Sequence, residues 1–274
     1  MDQTKSEGLI SAHVAVLLFG AVALLAQESH LSALTITSGR CLFGALTLGL
    51  WLRDKSLKLK GLTQLWSQGA LLAAHWYAFF RCVEDGSAAL ALITYATYPL
   101  WTLILSKGTT LVRERTALIA CSSILLGSIL LVLQELNDVG PAILWGVLGA
   151  LTFAILQIRN QRLSHSSSVL FITFGQLTWA SIFLLPIGMM GFTELDLKGW
   201  SWLILFGTVF TALAHGLFVN SVSRLNAQKS SFIGAWEPVY GLLLAAIFLG
   251  YRPELLDVLA IVLIVGPSLT ILRR

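Results

Sequence analysis

Long apolar runs alternate along the whole chain with short clusters of charged residues, glycine, proline and asparagine. Each run approaches the length of about 20 residues that a helix needs to cross a hydrocarbon layer about 30 Å thick. In the first half the runs are Ile10–Ala26, Leu34–Leu52, Gln64–Val83, Ser87–Leu105 and Thr116–Leu133. In the second half they are Ala142–Ile158, Val169–Met189, Trp200–Asn220, Ser230–Leu249 and Leu255–Leu272. The pattern predicts an all-α integral membrane protein with ten transmembrane helices, five in each half.

Composition agrees with this prediction. Hydrophobic residues make up 56% of the chain and charged residues 12%, against about 45 to 50% and about 25% in soluble domains. The ten spans use almost all of the 274 residues, so we expect one membrane domain over residues 1–274 with no room for a soluble catalytic domain.

The distribution of basic residues predicts the orientation. If the N-terminus is cytoplasmic, Arg81, Lys198 and Arg252 fall outside and Arg40 lies within a span. The other basic residues are then cytoplasmic: Lys5, Arg53, Lys55, Lys58, Lys60, Lys107, Arg113, Arg115, Arg159, Arg162, Arg224, Lys229, Arg273 and Arg274. The positive-inside rule therefore predicts that both termini are cytoplasmic, in a bacterial inner membrane. Because topology explains the basic charge, we expect no nucleic-acid partner.

Similar segments recur at corresponding points of the two halves. The matched pairs are Ile36–Arg40 with Ile172–Gln176, Ala74-His75 with Ala214-His215, and Pro99 with Pro238. The chain therefore resembles a diverged duplication, with repeats at about 8–136 and 140–274. An odd number of spans in each repeat inserts the copies upside down relative to each other, as in many secondary transporters.

Few ionisable side chains fall inside the predicted spans, and each is costly there. They are His13, Arg40, His75, His215 and Glu237. Glu237 is the most informative of them because Pro238 follows it directly and breaks the backbone hydrogen-bond ladder near the middle of the ninth span. We interpret Glu237 as a ligand or proton site; the alternative is a protonated or paired glutamate that locks helices together. The matched segment of the first half, Tyr98-Pro99, keeps the helix-breaking proline and lacks the charge.

The two matched histidines have two interpretations. His75 and His215 can relay protons or bind substrate, or they can form ordinary hydrogen bonds between helices. For Arg40, snorkelling to the interface or capping of carbonyl groups is favoured over substrate contact.

Other polar and aromatic residues lie near these positions at helical spacing and are predicted, with Glu237, His75 and His215, to line a substrate pocket. They are Trp76, Phe79, Tyr95, Tyr98, Thr211, Phe218, Trp236 and Tyr240.

Several classes of site are excluded. The chain has no Gly-Lys dipeptide and hence no phosphate-binding loop of the Walker type, no Gly-x-Ser-x-Gly elbow and no His-Glu-x-x-His motif. The cysteines Cys41, Cys82 and Cys121 are scattered, which is unlike a metal site or a disulfide framework. We therefore expect no cofactor, no metal and no enzymatic activity.

The whole chain resembles the EamA-type, ten-helix members of the drug/metabolite transporter superfamily. The resemblance rests on Leu31-Ser32 with Arg40, Ala74-His75-Trp76, Ser87-Ala88, Tyr98-Pro99, Arg113-Glu114-Arg115, Thr211–Phe218 and Glu237-Pro238-Val239-Tyr240. It implies two inverted five-helix repeats, a central cavity and alternating access without a cofactor. One departure is that the family's Leu-Gly-Glu at the end of the ninth helix reads Leu249-Gly250-Tyr251 here, so that the role of that glutamate is lost or moved to Glu254.

The favoured hypothesis is a secondary transporter in the lipid bilayer that exports or exchanges a small metabolite, such as an amino acid, with possible proton coupling. Two alternatives stay open on the sequence. One is an intramembrane enzyme that uses Glu237 with His75 and His215, and the other is a membrane scaffold that transports nothing.

Overall fold

The computed structural model describes residues 3–52, 61–106, 114–132 and 140–273. In these ranges it contains thirteen α-helices and no strand. Some predicted features lie outside the described residues: several of the basic residues predicted to be cytoplasmic, the end of the fifth span at Leu133, and the ends of both predicted repeats. The basic residues outside them are Arg53, Lys55, Lys58, Lys60, Lys107, Arg113 and Arg274.

The first half of the chain forms six helices. They are α1 (Gln3–Ser29), α2 (Ala33–Leu52), α3 (Trp66–Asp85), α4 (Ala88–Tyr95), α5 (Tyr98–Leu105) and α6 (Glu114–Val132). A short 3₁₀ turn, Leu62–Leu65, precedes α3. Helix α1 begins seven residues before the predicted span, because Gln3–Leu9 continue the helix on the polar side.

The second half forms seven helices. They are α7 (Gly140–Leu163), α8 (Val169–Gly188), α9 (Leu197–Gly207), α10 (Ala214–Leu225), α11 (Ala227–Gly234), α12 (Glu237–Phe248) and α13 (Leu255–Leu272). A π-helical turn, Thr208–Leu213, joins α9 to α10, so that Leu197–Leu225 forms one long segment. A 3₁₀ turn, Met189–Phe192, extends α8.

Eight segments are long and apolar enough to cross a membrane. They are Gln3–Ser29, Ala33–Leu52, Ala88–Leu105, Gly140–Leu163, Val169–Phe192, Leu197–Leu225, Ala227–Phe248 and Leu255–Leu272. Two further predicted spans are helical but fall short of that standard: α3 carries polar residues along its length, among them Gln68, His75 and Arg81, and the apolar stretch of α6 is the shorter Arg115–Leu131. The chain is a multi-pass, all-helical membrane protein.

Two of the spanning segments are interrupted near their middle. Helix α4 ends at Tyr95 and α5 starts at Tyr98, and α11 ends at Gly234 and α12 starts at Glu237. Pro99 and Pro238 each lie in the first turn after the interruption, where proline loses no hydrogen bond that the helix needs. The two interruptions lie side by side, since a Cβ at Gly234 would be 2.9 Å from Cε1 of Tyr98. Only glycine allows the backbone to approach the ring this closely.

Candidate functional site

A small cavity lies at the centre of the bundle, where both halves meet. Helices α1, α2, α3, α4 and α12 surround it. Its walls are Phe19, Val22, Arg40, His75, Trp76, Phe79, Tyr95 and Glu237. The free volume is about 20 Å³, which is room for a single water molecule. In this conformation the free space in the site is smaller than any amino acid.

Arg40 is the one positive charge in the cavity wall. Its side chain is 1% exposed and does not snorkel, so this part of the prediction was wrong. The Nε–H donates to Thr211 Oγ1 at 2.7 Å and an Nη2–H donates to the carbonyl oxygen of Phe210 at 2.8 Å. Phe210 belongs to the π-helical turn, and turns of this kind often occur at functional sites. Arg40 therefore caps a carbonyl, as predicted, and in addition faces the cavity.

Two aromatic rings hold the guanidinium group in place. Its central carbon lies 4.1 Å from the centroid of the Trp76 ring and 5.0 Å from that of Phe80. Contacts of this kind stabilise a desolvated cation by about 2 kcal/mol. Among the described residues no carboxylate forms an ion pair with Arg40.

Glu237 is the acidic residue of the cavity wall. It occupies the first turn of α12, where the partial positive charge of the helix N-terminus favours a carboxylate. Its side chain is 2% exposed, and Oε2 has no hydrogen-bond partner among the described residues. Arg40 lines the same cavity. The geometry therefore leaves one carboxylate oxygen available to a ligand.

His75 also faces the cavity. Its Nδ1 lies 2.9 Å from the carbonyl oxygen of Gly149 in α7. Because a carbonyl only accepts, Nδ1 carries the proton, and in the neutral ring Nε2 is left as an acceptor. His75 therefore forms the predicted hydrogen bond between helices, from α3 to α7, and it also lines the cavity. Its role in proton relay or substrate binding stays a prediction.

His215 has a different environment from its matched partner. It lies behind Trp76, with ring centroids 5.3 Å apart, and its Nε2 is 2.9 Å from Gln176 Oε1. The Gln176 amide donates to Asn160 Oδ1, and Asn160 donates to Gln157 Oε1 at 3.1 Å. These four residues form a buried polar chain that leads from the centre toward the end of α7. His215 therefore belongs to this chain and not to the cavity wall.

The other predicted pocket residues fall into two groups outside the wall. Tyr98 and Phe218 pack with Phe153 behind Tyr95, at centroid distances of 5.0 and 5.3 Å from Phe153. Trp236 and Tyr240 turn away from the cavity toward His13, whose Nδ1 lies 2.9 Å from the Tyr240 hydroxyl.

The structure thus brings five of the predicted residues to one cavity: His75, Trp76, Phe79, Tyr95 and Glu237. Thr211 contributes through its bond to Arg40. The sequence reasoning missed Phe19, Val22 and Arg40 as wall residues. For Arg40 a signal was present, since an arginine in the middle of an apolar helix is costly unless a nearby site uses it.

A wider vestibule of about 390 Å³ opens on the face of the bundle where α1 ends. Its walls are Ala26, Gln27, His30, Leu31, Ser32, Ile36, Phe80, Val83, Glu84 and Gly86. Phe80 belongs both to this vestibule and to the contact beneath Arg40. The Phe80 ring therefore lies against both the vestibule and Arg40.

No cluster of His, Cys, Asp and Glu side chains in the described ranges is arranged to hold a metal ion. Tyr251, which stands where the resembled family has a glutamate at the end of the ninth helix, has a structural role. Tyr251 donates from its hydroxyl to Asp257 Oδ2 at 2.9 Å, and Glu254 caps the start of α13. Neither residue reaches the central cavity.

Comparison with known proteins finds a family match in the second half of the chain. Residues 140–273 match the model of the EamA-like transporter family. A Bacillus subtilis (strain 168) protein named uncharacterized transporter YxxF is 29% identical over 295 aligned positions, which cover 100% of this chain and 92% of the relative. The chain is therefore similar to EamA-like transporters.

Two further matches agree with this similarity. A protein of Archaeoglobus fulgidus, also named an uncharacterized transporter, is 27% identical over 86% of each chain. A crystal structure titled only as that of a protein superposes on this chain with a TM-score of 0.77, over 96% of each chain and at 16% identity. That likeness shows a shared fold. The chain is a membrane transporter.

Proposed function

We propose that this protein is a secondary transporter that exports or exchanges an amino acid or a similar amphipathic metabolite by alternating access. Glu237 binds the ammonium group of the substrate or carries a coupled proton. The observation that carries the proposal is the unpartnered Glu237 Oε2, buried at a helix break and facing the central cavity.

The contacts between helices support an inverted repeat of ten spans, about 8–136 and 140–274. Helix α3 packs against α7 as α1 packs against α10, and α3 packs against α8 as α2 packs against α9. In the order of spans, α1 corresponds to α7, α2 to α8, and α3 to the segment that contains α9 and α10. When each helix is replaced by its counterpart, the contact of α3 with α7 becomes that of α10 with α1, and the contact of α3 with α8 becomes that of α9 with α2. Such a scaffold supports alternating access, because either half can rock against the other around a fixed site.

The difference in volume between the central cavity and the vestibule is also compatible with alternating access. The site admits one water, whereas the vestibule above Phe80 has about 390 Å³. Movement of the Phe80 side chain and of α3 would join the two spaces. The charge distribution supports cytoplasmic termini in a bacterial inner membrane, which places the vestibule on the outer face.

Uptake by proteoliposomes tests this function. Wild-type protein and the variants Glu237→Gln and Glu28→Gln are reconstituted, and uptake of labelled amino acids is measured with and without a pH gradient. We expect wild type to take up at least one amino acid. The uptake rate of Glu237→Gln should be at least about tenfold lower, since a loss of about 1.4 kcal/mol in binding free energy weakens binding about tenfold. Glu28 is exposed and makes the matched control, which should transport as wild type does.

Two outcomes would count against the proposal. Unchanged transport by Glu237→Gln would remove Glu237 from the mechanism. The absence both of uptake and of any ligand-dependent thermal shift across a metabolite library would favour a scaffold over a transporter. If wild-type uptake follows the pH gradient and Glu237→Gln does not, the carboxyl group carries the coupled proton.

A further inference from the structure

Arg40 is buried with most of its hydrogen-bonding capacity unused. A guanidinium group has five N–H donors, and Arg40 uses two of them, toward Thr211 and Phe210. The remaining donors have no partner among the described residues. A buried charge without a partner is destabilising by several kcal/mol, so that an arginine in this position favours any anion that can enter the cavity.

The fixed orientation of the guanidinium group suits a carboxylate. Trp76 covers one face of the group at 4.1 Å, and the bonds to Thr211 and Phe210 fix one edge. The unused donors therefore lie along the other edge. A planar edge of this kind matches the two oxygens of a carboxylate better than a single point charge does.

Arg40 and Glu237 line the same cavity, and no ion pair joins them. Glu237 Oε2 accepts no hydrogen bond from any residue that the structure describes. A ligand that carries one anionic and one cationic group satisfies both residues, whereas a ligand with a single charge leaves the opposite residue without a partner. The aromatic walls Trp76, Phe79 and Tyr95 suit an apolar body between or beside the two charges.

From this arrangement we propose that Arg40 binds the anionic group of the substrate while Glu237 binds its ammonium group, so that the site selects zwitterions over singly charged analogues. This inference rests on the proposed transport function and adds a residue and a selection rule to it. A purely structural role for Arg40, the attachment of α2 to the π-helical turn, is the alternative that the experiment must separate.

Three aromatic probes of similar size test the selection rule. L-Phenylalanine is a zwitterion, phenethylamine carries only the ammonium group, and 3-phenylpropionate carries only the carboxylate. Binding of labelled phenylalanine to purified protein is measured by scintillation proximity, and the other two compounds compete as unlabelled ligands. For wild type we expect both analogues to compete at least about tenfold more weakly than unlabelled phenylalanine, which corresponds to about 1.4 kcal/mol.

The two variants that remove a charged residue should each lose discrimination against a different analogue. In Arg40→Gln, which places the residue of the matched position Gln176 in the first half, phenethylamine should compete as well as phenylalanine. In Glu237→Gln, 3-phenylpropionate should do so. Arg40→Lys keeps the charge without the planar edge, and we expect it to keep the zwitterion preference with about tenfold weaker binding. Arg81→Gln, at the exposed end of α3, is the control and should match wild type.

The outcomes separate the two proposals. If Arg40→Gln keeps the wild-type preference for phenylalanine over phenethylamine, Arg40 has only the structural role and this inference is wrong while transport stands. If Arg40→Gln does not fold, Arg40→Lys is used to test the inference. An Arg40→Lys protein that folds and shows no preference among the three probes also overturns it. If wild type does not bind phenylalanine but takes up another amino acid, the inference fails for this class of ligand alone. If wild type takes up no amino acid, both proposals fail.

Discussion

The two interrupted segments of this transporter have the same backbone and opposite chemistry. At the first, Tyr98 starts α5 and packs its ring against Tyr95, Phe153 and Phe218. At the second, Glu237 starts α12 and turns its carboxylate into the central cavity. The proline that follows each residue preserves the break in both copies, whereas the residue before it decides whether the break is packed or exposed to a ligand.

The second spanning helices of the two halves differ in the same way. Arg40 crosses to the π-helical turn of the other half and faces the cavity. Gln176, its matched residue, stays within its own half and joins Asn160 to His215. The first half therefore contributes Arg40 to the central cavity and the second half contributes Glu237. Their matched residues, Gln176 and Tyr98, form neutral contacts outside the cavity wall.

The largest effect should come from placing a charge at the packed break. Tyr98→Glu buries a carboxylate in a fully covered position among aromatic rings, so we expect a loss of about 3 to 5 kcal/mol of stability. Thermal unfolding of purified protein in detergent, followed by tryptophan fluorescence, measures the loss. Tyr98→Phe keeps the ring contacts and should change stability by less than about 1 kcal/mol. Equal stability of Tyr98→Glu and wild type would show that the two breaks are interchangeable.

The next effect concerns the neutral polar chain. Gln176→Leu leaves both His215 Nε2 and Asn160 Oδ1 without their partner in a buried site, and we expect a loss of about 2 to 3 kcal/mol. Chemical or thermal unfolding in detergent gives the value. Gln64→Leu, at an exposed position, should stay within about 0.5 kcal/mol of wild type. A stable Gln176→Leu protein with lost phenylalanine binding would instead place Gln176 in the binding site.

The two histidines should separate binding from stability. His75→Phe removes an acceptor from the cavity wall, so we expect phenylalanine binding to weaken by about fivefold. His215→Phe breaks the polar chain and should lower stability by about 1 to 2 kcal/mol with little change in affinity. Binding and thermal unfolding are measured on the same preparations. The comparison between the halves fails if both variants change affinity to the same extent.

The smallest effect is expected in the connection between α12 and α13. Tyr251→Phe removes one hydrogen bond to Asp257 at a position that is 38% exposed, so the loss should be below about 1 kcal/mol. Thermal unfolding is again the measurement. Transport should not change, because Tyr251 lies away from the central cavity. A transport defect in this variant would give Tyr251 a role in the movement of the protein.

Several residues of the candidate site were predictable because the energetic cost of placing them in a membrane helix can be recognised from the local sequence. An ionisable residue within an apolar run and a proline inside a helical pattern can be recognised without knowledge of the neighbouring helices. Glu237 and His75 were found in this way, and both face the cavity. Trp76, Phe79 and Tyr95 follow because they lie about one helical turn from those positions or on the matched segment.

The positions of other residues could not be predicted from the sequence because they depend on partners far away in the chain. Arg40 bonds to residues 170 and 171 positions later, and His13 reaches Tyr240 over 227 positions. Trp236 and Tyr240 share the segment of Glu237 but lie on another side of it, toward His13. Helical spacing gives the face of a helix on which a residue lies, and only packing decides which face meets the cavity.

The sequence alone determined that this protein crosses the membrane many times and that a glutamate beside a proline is its least ordinary residue, and it predicts that the two halves correspond. These features depend on hydropathy and backbone chemistry, which act over short distances along the chain. The tertiary structure decided that Arg40 and Glu237 share one cavity and that His75 and His215 do not have the same role. Electrostatic and hydrogen-bond partners across helices depend on how the helices pack, and matched sequence positions in the two halves need not receive matched neighbours.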